Sequence, residues 1–115
     1  ALMLAGHLRL SNLCVLVDYN GLGGIGLTDN CCSLHSLKEK FIAFGLDGYD
    51  VDGHSVEAIV EIINKTRNTD RPVGIVCHTT KGKGVSFMEN ENVWHYRPPD
   101  EEAYLMALNE IDKEY

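Results

Sequence analysis

The stretch Leu13-Cys-Val-Leu-Val-Asp-Tyr-Asn-Gly-Leu22 decides the fold class of this chain. Leu13 to Val17 is a continuous apolar run containing β-branched residues, the pattern of a buried strand in a parallel sheet. A carboxylate (Asp18), an amide (Asn20) and a glycine (Gly21) follow at once. In α/β proteins such polar groups at the carboxyl end of a strand face the ligand crevice. On spacing alone, Asn20-Gly21 also reads as an ordinary turn after a strand.

Working outward, helices and strands alternate. Ala1 to Leu10 carries leucines at 2, 4, 8 and 10 and fits a helix ended by Ser11-Asn12. Tyr19 to Asp29 holds four glycines, which marks a loop whose backbone comes close to something. Leu34, Leu37, Phe41 and Phe44 recur at helical spacing, predicting a helix over Ser33 to Phe44 with Gly45 behind it. Tyr49 to Val51 is a short strand. Ser55 then caps a helix from Val56 to about Asn68. Arg71-Pro72 breaks the chain before a buried strand over Val73 to His78. Thr79 to Val85 is a lysine–glycine loop. Pro98-Pro99-Asp100 opens a last helix, Glu101 to about Asp112, with Tyr104, Leu105 and Leu108 as its inner face. The order predicts an α/β fold, a parallel sheet covered by helices on both faces, in one unit over residues 1–115.

Composition narrows the function. The net charge is −7, against a nucleic-acid surface, which needs a clustered basic patch. One local lysine pair still suffices for a phosphorylated ligand. No apolar run reaches the roughly 18 residues that span a bilayer, so no membrane partner is expected. Cys14, Cys31, Cys32 and Cys77 lack metal-site spacing. They read as reduced thiols of a cytoplasmic protein, with Cys14 and Cys77 in buried strands.

Three segments carry candidate chemistry. Asn20 offers a hard, neutral oxygen suited to magnesium or calcium, and the backbone carbonyl of Leu22 offers another. In Thr79-Thr-Lys-Gly-Lys-Gly84, the glycines let backbone amides approach an anion, and Lys81 or Lys83 neutralises it. The same segment also reads as a solvated basic turn, and it lacks the P-loop pattern. Trp94-His95 supplies an imidazole able to act as acid, base or phosphate donor, or simply to pack. Asp52-Gly-His54 reads as a turn ahead of the Ser55 cap, and Asp18 as an orienting group for Asn20 or nearby backbone.

Taken in order, four blocks resemble the transketolase family: residues 10–22 (LSNLCVLVDYNGL), 41–55 (FIAFGLDGYDVDGHS), 71–90 (RPVGIVCHTTKGKGVSFMEN) and 93–102 (VWHYRPPDEE). The resemblance is nearest to the N-terminal, diphosphate-binding subunit of two-subunit transketolases, and more distant to deoxyxylulose-phosphate synthase. It implies part of a thiamine diphosphate-binding domain. The cofactors implied are thiamine diphosphate and Mg2+ or Ca2+. Asn20 and Leu22 fall on metal ligands, Asn20, Gly21, Leu22 and Lys81 on cofactor-binding positions, and His95 on the catalytic histidine near diphosphate and substrate. Gly24 falls where many relatives carry isoleucine. The implied reaction moves a two-carbon ketol unit from a ketose phosphate to an aldose, with the protein supplying orientation and electrostatics. Sugar phosphates are the implied substrates. The implied partner is the pyrimidine-binding, C-terminal transketolase subunit, in a homo- or hetero-oligomer.

The family's metal motif begins with Gly-Asp-Gly. That triplet does not occur among the 19 residues before Asn20. The expectation is therefore an incomplete half-site, no turnover by the isolated chain, and marginal stability or self-association. Two other readings stay open: a non-catalytic α/β interaction module of the same fold, and a fragment of a synthase-like enzyme with the same cofactor.

Overall fold

The structure, a computed structural model, describes residues 1–114. Its elements are α1 (Leu2–His7), β1 (Cys14–Tyr19), β2 (Leu22–Gly23), β3 (Gly26–Leu27), α2 (Thr28–Cys32), α3 (Leu37–Ala43), β4 (Asp47–Asp52), α4 (Val56–Thr66), β5 (Val73–His78), a 3-10 turn (Asn92–His95) and α5 (Glu101–Glu114). They divide into two compact units. Residues 1–19 with 34–79 form the first, and residues 20–33 with 80–114 the second.

The first unit is a parallel three-stranded sheet in the order β1-β5-β4. The expected α/β class and parallel sheet are therefore present. β5 lies in the middle because nearly all its residues are apolar: Val73 to Cys77 are buried on both faces. Alternate side chains point opposite ways, so β5 serves two cores. Val76 packs with Phe41 and Leu46, joined by Val15, Val17 and Leu37. Val73, Ile75 and Cys77 pack with Tyr49, Val51, Ile59, Ile62 and Ile63. Thus α3 covers one face and α4 the other. Each fully buried aliphatic side chain contributes about 1.5–3 kcal/mol.

The helices start and stop where local chemistry dictates. The Ser55 hydroxyl accepts from the Ala58 amide at 3.2 Å, capping α4 as expected. The Ser36 hydroxyl accepts from the Glu39 amide at 3.1 Å and starts α3. That start is later than the periodicity predicts, because His35 sits at φ 46 and cannot belong to the helix. Gly45 follows α3 at φ 85, where a side chain is strained.

Two expectations about burial need correction. The strand ending at Tyr19 is not buried on both faces. β1 is an edge strand: Cys14, Leu16 and Asp18 on one face are exposed, while Val15 and Val17 face the α3 core. Cys14 is exposed for that reason, whereas Cys77 is buried as expected. Burial raises the Cys77 thiol above its ordinary value, with Asp18 and Cys14 adding to the shift. Asp18 does not orient Asn20; it accepts a hydrogen bond from the Thr79 hydroxyl across the β1–β5 pair. The Asp52 carboxylate accepts from the His54 amide at 2.9 Å, the turn-forming role expected of that segment.

In the second unit, β2 and β3 pair antiparallel as a small hairpin. The sequence predicts only a glycine loop there, because two-residue strands flanked by glycines show no alternation. The Thr28 amide at the start of α2 donates to the Gly21 carbonyl at 2.9 Å and closes the hairpin base. The last helix is rotated from its expected orientation. Tyr104 and Leu105 are 52% and 58% exposed, and Leu108 is exposed too. Ala103, Ala107 and Glu110 form the partly buried face instead. The cause lies in polar ties: Asp100 caps the Ala103 amide at 2.9 Å, and Glu110 accepts from the Ser86 amide at 2.5 Å and the Ser86 hydroxyl at 2.8 Å.

Those bonds hold the Glu110 carboxyl below its ordinary value, with Lys113 adding to them. A lowered folded-state value means the tie is complete above the ordinary carboxylate value and is lost as pH falls through the lowered one. The Ser86 amide resonance is expected to titrate below the ordinary glutamate range, and Glu110→Gln to remove that titration. Among the described residues no helix is long and apolar enough to cross a membrane.

Candidate functional site

The chain leaves the first unit's sheet at the carboxyl ends of β1 and β5, where Tyr19 pairs with His78. The segments that begin there, at Asn20 and Thr80, build a cavity wholly within the second unit. It measures about 270 Å³. Asn20, Leu22, Gly23 and Gly24 line it from the hairpin. Lys81, Asn92 and His95 line it from the later segment.

Each lining residue is fixed by local structure. The Asn20 side-chain oxygen accepts from the Leu22 amide at 2.9 Å, so the amide group folds over the turn that precedes β2. Gly21 sits at φ 72, outside the range of most side chains, and lets that turn close. The oxygen keeps a second lone pair for a ligand. The lysine–glycine loop is a series of tight turns. The Lys83 amide donates to the Thr80 carbonyl at 3.2 Å and the Val85 amide to the Gly82 carbonyl at 3.1 Å. Val85 is buried and anchors the loop.

The two lysines part company there. The Lys83 ammonium lies 3.8 Å from Glu89, whose carboxylate also accepts from the Gly84 amide at 3.1 Å. Lys81 is half-buried at the cavity. Of the two lysines, Lys81 lines the cavity and Lys83 faces Glu89.

His95 closes the 3-10 turn and is held by its neighbours. The Trp94 indole N–H donates to the Phe87 carbonyl at 3.0 Å and packs edge-on against the Phe87 ring. The His95 ring meets Tyr96 edge-on at 4.8 Å between centroids. Two further residues, not among the sequence candidates, tie this turn to the hairpin. The Asn92 side-chain amide donates to the Gly24 carbonyl at 3.0 Å, and the Tyr96 hydroxyl donates to the same oxygen. Their only signal in the sequence is that they flank Trp94-His95.

The arrangement has a definite chemical bias. No aspartate or glutamate is among the described residues that line the cavity. No group of three or more His, Cys, Asp or Glu able to hold a metal occurs among the described residues. A bare divalent cation thus finds neutral oxygens but no counter-charge here. An anionic ligand finds an ammonium, an imidazole and backbone amides of glycine turns. A cation that arrives with its own anionic oxygens fits both halves of that donor set.

A parallel α/β sheet in the first unit and, within the second, a glycine-lined cavity whose donor set suits an anion are the features that define the class. Residues 1–108 match the family described as transketolase, thiamine diphosphate binding domain, and the chain belongs to that family. It is 35% identical over 114 residues to an apulose-4-phosphate transketolase subunit of Phocaeicola vulgatus, covering 98% of this chain and 41% of that protein. It is 35% identical over 115 residues to a 6-deoxy-6-sulfo-D-fructose transketolase subunit of a Clostridium species, covering 99% of this chain and 42% of that protein. The chain therefore spans about two-fifths of the length of these relatives. Among solved structures, transketolase from Campylobacter jejuni superposes with a TM-score of 0.88 at 25% identity, over 96% of this chain and 17% of that one.

Proposed function

We propose that the cavity between Asn20 and His95 holds the diphosphate end of thiamine diphosphate together with a divalent cation, Mg2+ or Ca2+. The observation that carries this is the meeting, in one cavity, of Asn20, Leu22, Lys81 and His95 from two distant segments of the sequence. When bound, the cofactor supplies the carbanion chemistry of ketol transfer. The chain's own residues bind and orient. The Asn20 oxygen and the Leu22 carbonyl ligate the cation, Gly21 permits the turn that presents them, and the Lys81 ammonium offsets phosphate charge. His95, exposed on the open side, donates to a phosphate or substrate oxygen and holds a proton there.

The substrates of this reading are sugar phosphates, between which a two-carbon unit passes. The partner is a pyrimidine-binding transketolase subunit, in keeping with relatives that are themselves named as transketolase subunits. Taken alone, residues 1–115 bind the cofactor weakly and do not turn over, because the cavity's donors include no carboxylate for the cation.

Lys81→Met tests the orientation of the ligand. Thiamine diphosphate affinity, measured by calorimetry with magnesium present, is expected to fall roughly tenfold, as befits one charge-assisted contact. Unphosphorylated thiamine is expected to bind the variant and the parent alike. Equal losses for both ligands, or no loss for the diphosphate, would contradict the assignment.

A further inference from the structure

We infer that Asn92 and Tyr96 are positioning residues that clasp the β2–β3 hairpin against the cavity through the carbonyl of Gly24, and that Gly24 is glycine to admit the Tyr96 hydroxyl. The inference rests on the proposed reading for its functional consequence, and on geometry for the clasp itself.

The hairpin needs an external tie. It consists of two residue pairs, Leu22 with Leu27 and Gly23 with Gly26, and ribbons that short do not hold themselves in water. Ile25 is 86% exposed, so the tip gains nothing from apolar burial. At its base the hairpin is held by the Thr28 amide on the Gly21 carbonyl. At its tip the described hydrogen bonds converge on one atom, the Gly24 oxygen, which receives both the Asn92 amide and the Tyr96 hydroxyl. Both donors flank His95, so one clasp fixes two walls of the cavity at once: the wall that carries Asn20 and Leu22, and the wall that carries His95.

Gly24 makes room for the Tyr96 hydroxyl; its backbone angle lies outside the left-handed region. A Cβ on Gly24 would stand 2.7 Å from the Tyr96 hydroxyl oxygen and 3.8 Å from His95 Nε2. A residue larger than glycine must therefore push Tyr96 off the carbonyl. Gly24 and Tyr96 are a matched pair: the small residue exists because the large one reaches across to it.

The test is a paired set of substitutions in the full chain, read in two ways. The first readout needs no ligand: amide hydrogen exchange. Tyr96→Phe and Asn92→Ala are each expected to speed exchange of the Thr28 amide about fivefold, the loss of one hydrogen bond, with the β5 amides unchanged. Gly24→Ala is expected to do the same, and Gly24→Ala with Tyr96→Ala to be no worse than Tyr96→Ala alone, since the clash is gone. The second readout is magnesium-dependent thiamine diphosphate affinity, expected to fall severalfold in each single variant while thiamine binding holds. Unchanged hairpin exchange in Tyr96→Phe and Asn92→Ala would overturn the clasp whatever the ligand does. Faster hairpin exchange with cofactor affinity intact would keep the clasp and overturn its positioning role. Failure of the parent chain to bind the cofactor at all would instead refute the proposed function.

Discussion

Replacing Asn20 by alanine is expected to weaken magnesium-dependent thiamine diphosphate binding between about ten- and a hundredfold, or about 1.5–3 kcal/mol. Two losses combine. The side-chain oxygen is the proposed cation ligand, and it also accepts from the Leu22 amide at 2.9 Å, so its removal frees the turn that presents the Leu22 carbonyl. The conservative variant separates them. Asn20→Asp keeps an oxygen in the same place for both the amide and the cation, and is expected to retain most magnesium-dependent binding. If alanine and aspartate variants bind alike, the oxygen is not a ligand. If Asn20→Ala binds as the parent does, the assignment of this cavity to the diphosphate end falls.

A large effect on stability is expected at Gly74→Ala in the middle strand. The ring of Phe41 lies against this glycine, and a Cβ there would stand 2.4 Å from Cγ of Phe41. Phe41 is 3% exposed, so the ring has nowhere to retreat without breaking the core it shares with Leu46 and Val76. Overpacking of that kind costs about 3 kcal/mol. For a domain of this size the loss lowers Tm by roughly 10–20 °C. The double variant Gly74→Ala, Phe41→Leu is expected to be less destabilised than the sum of its parts, because the smaller side chain vacates the space. Additive losses would show that the ring does not set the cost. A measured effect below that of an ordinary surface substitution, about 0.5 kcal/mol, would contradict the packing of α3 on β5.

The sheet was legible in the sequence wherever a residue's neighbours along the chain determine its state. Val73 to His78 is a strand over the span its apolar run predicts, bounded by Arg71-Pro72 and by Thr79. Ser55 caps, and Gly45 terminates, for reasons local to each residue. Legibility failed where the partner is remote. The exposed face of β1 goes with its place at the edge of the sheet, and nothing in Leu13 to Val17 encodes that. The rotation of α5 is set by Ser86, 24 residues from Glu110. An apolar stripe at Tyr104, Leu105 and Leu108 reads as an inner face in any sequence, and here it is exposed.

The candidate site follows the same division. Asn20-Gly21 and the lysine–glycine loop are each ambiguous alone, since turns of those compositions are common. The order of four sequence blocks brings them under one family. The spatial meeting of Asn20, Lys81 and His95 then depends on long-range folding of the second unit. Asn92 and Tyr96 stay invisible because their partner is a backbone oxygen: any residue offers one, so no side-chain pattern at Gly24 points to it.

On the proposed reading, the cavity lined by Asn20, Leu22, Lys81 and His95 takes the diphosphate end of thiamine diphosphate with a divalent cation. Amide chemical-shift mapping of the 115-residue chain tests it most directly, with thiamine diphosphate added at millimolar concentration, with and without magnesium. The predicted result is a set of shifts confined to Asn20–Gly24, Lys81–Gly84 and Asn92–Tyr96 that grows when magnesium is present. Shifts centred on Ser86 and Glu110 instead, or none at Asn20 and Lys81 under either condition, would contradict the account.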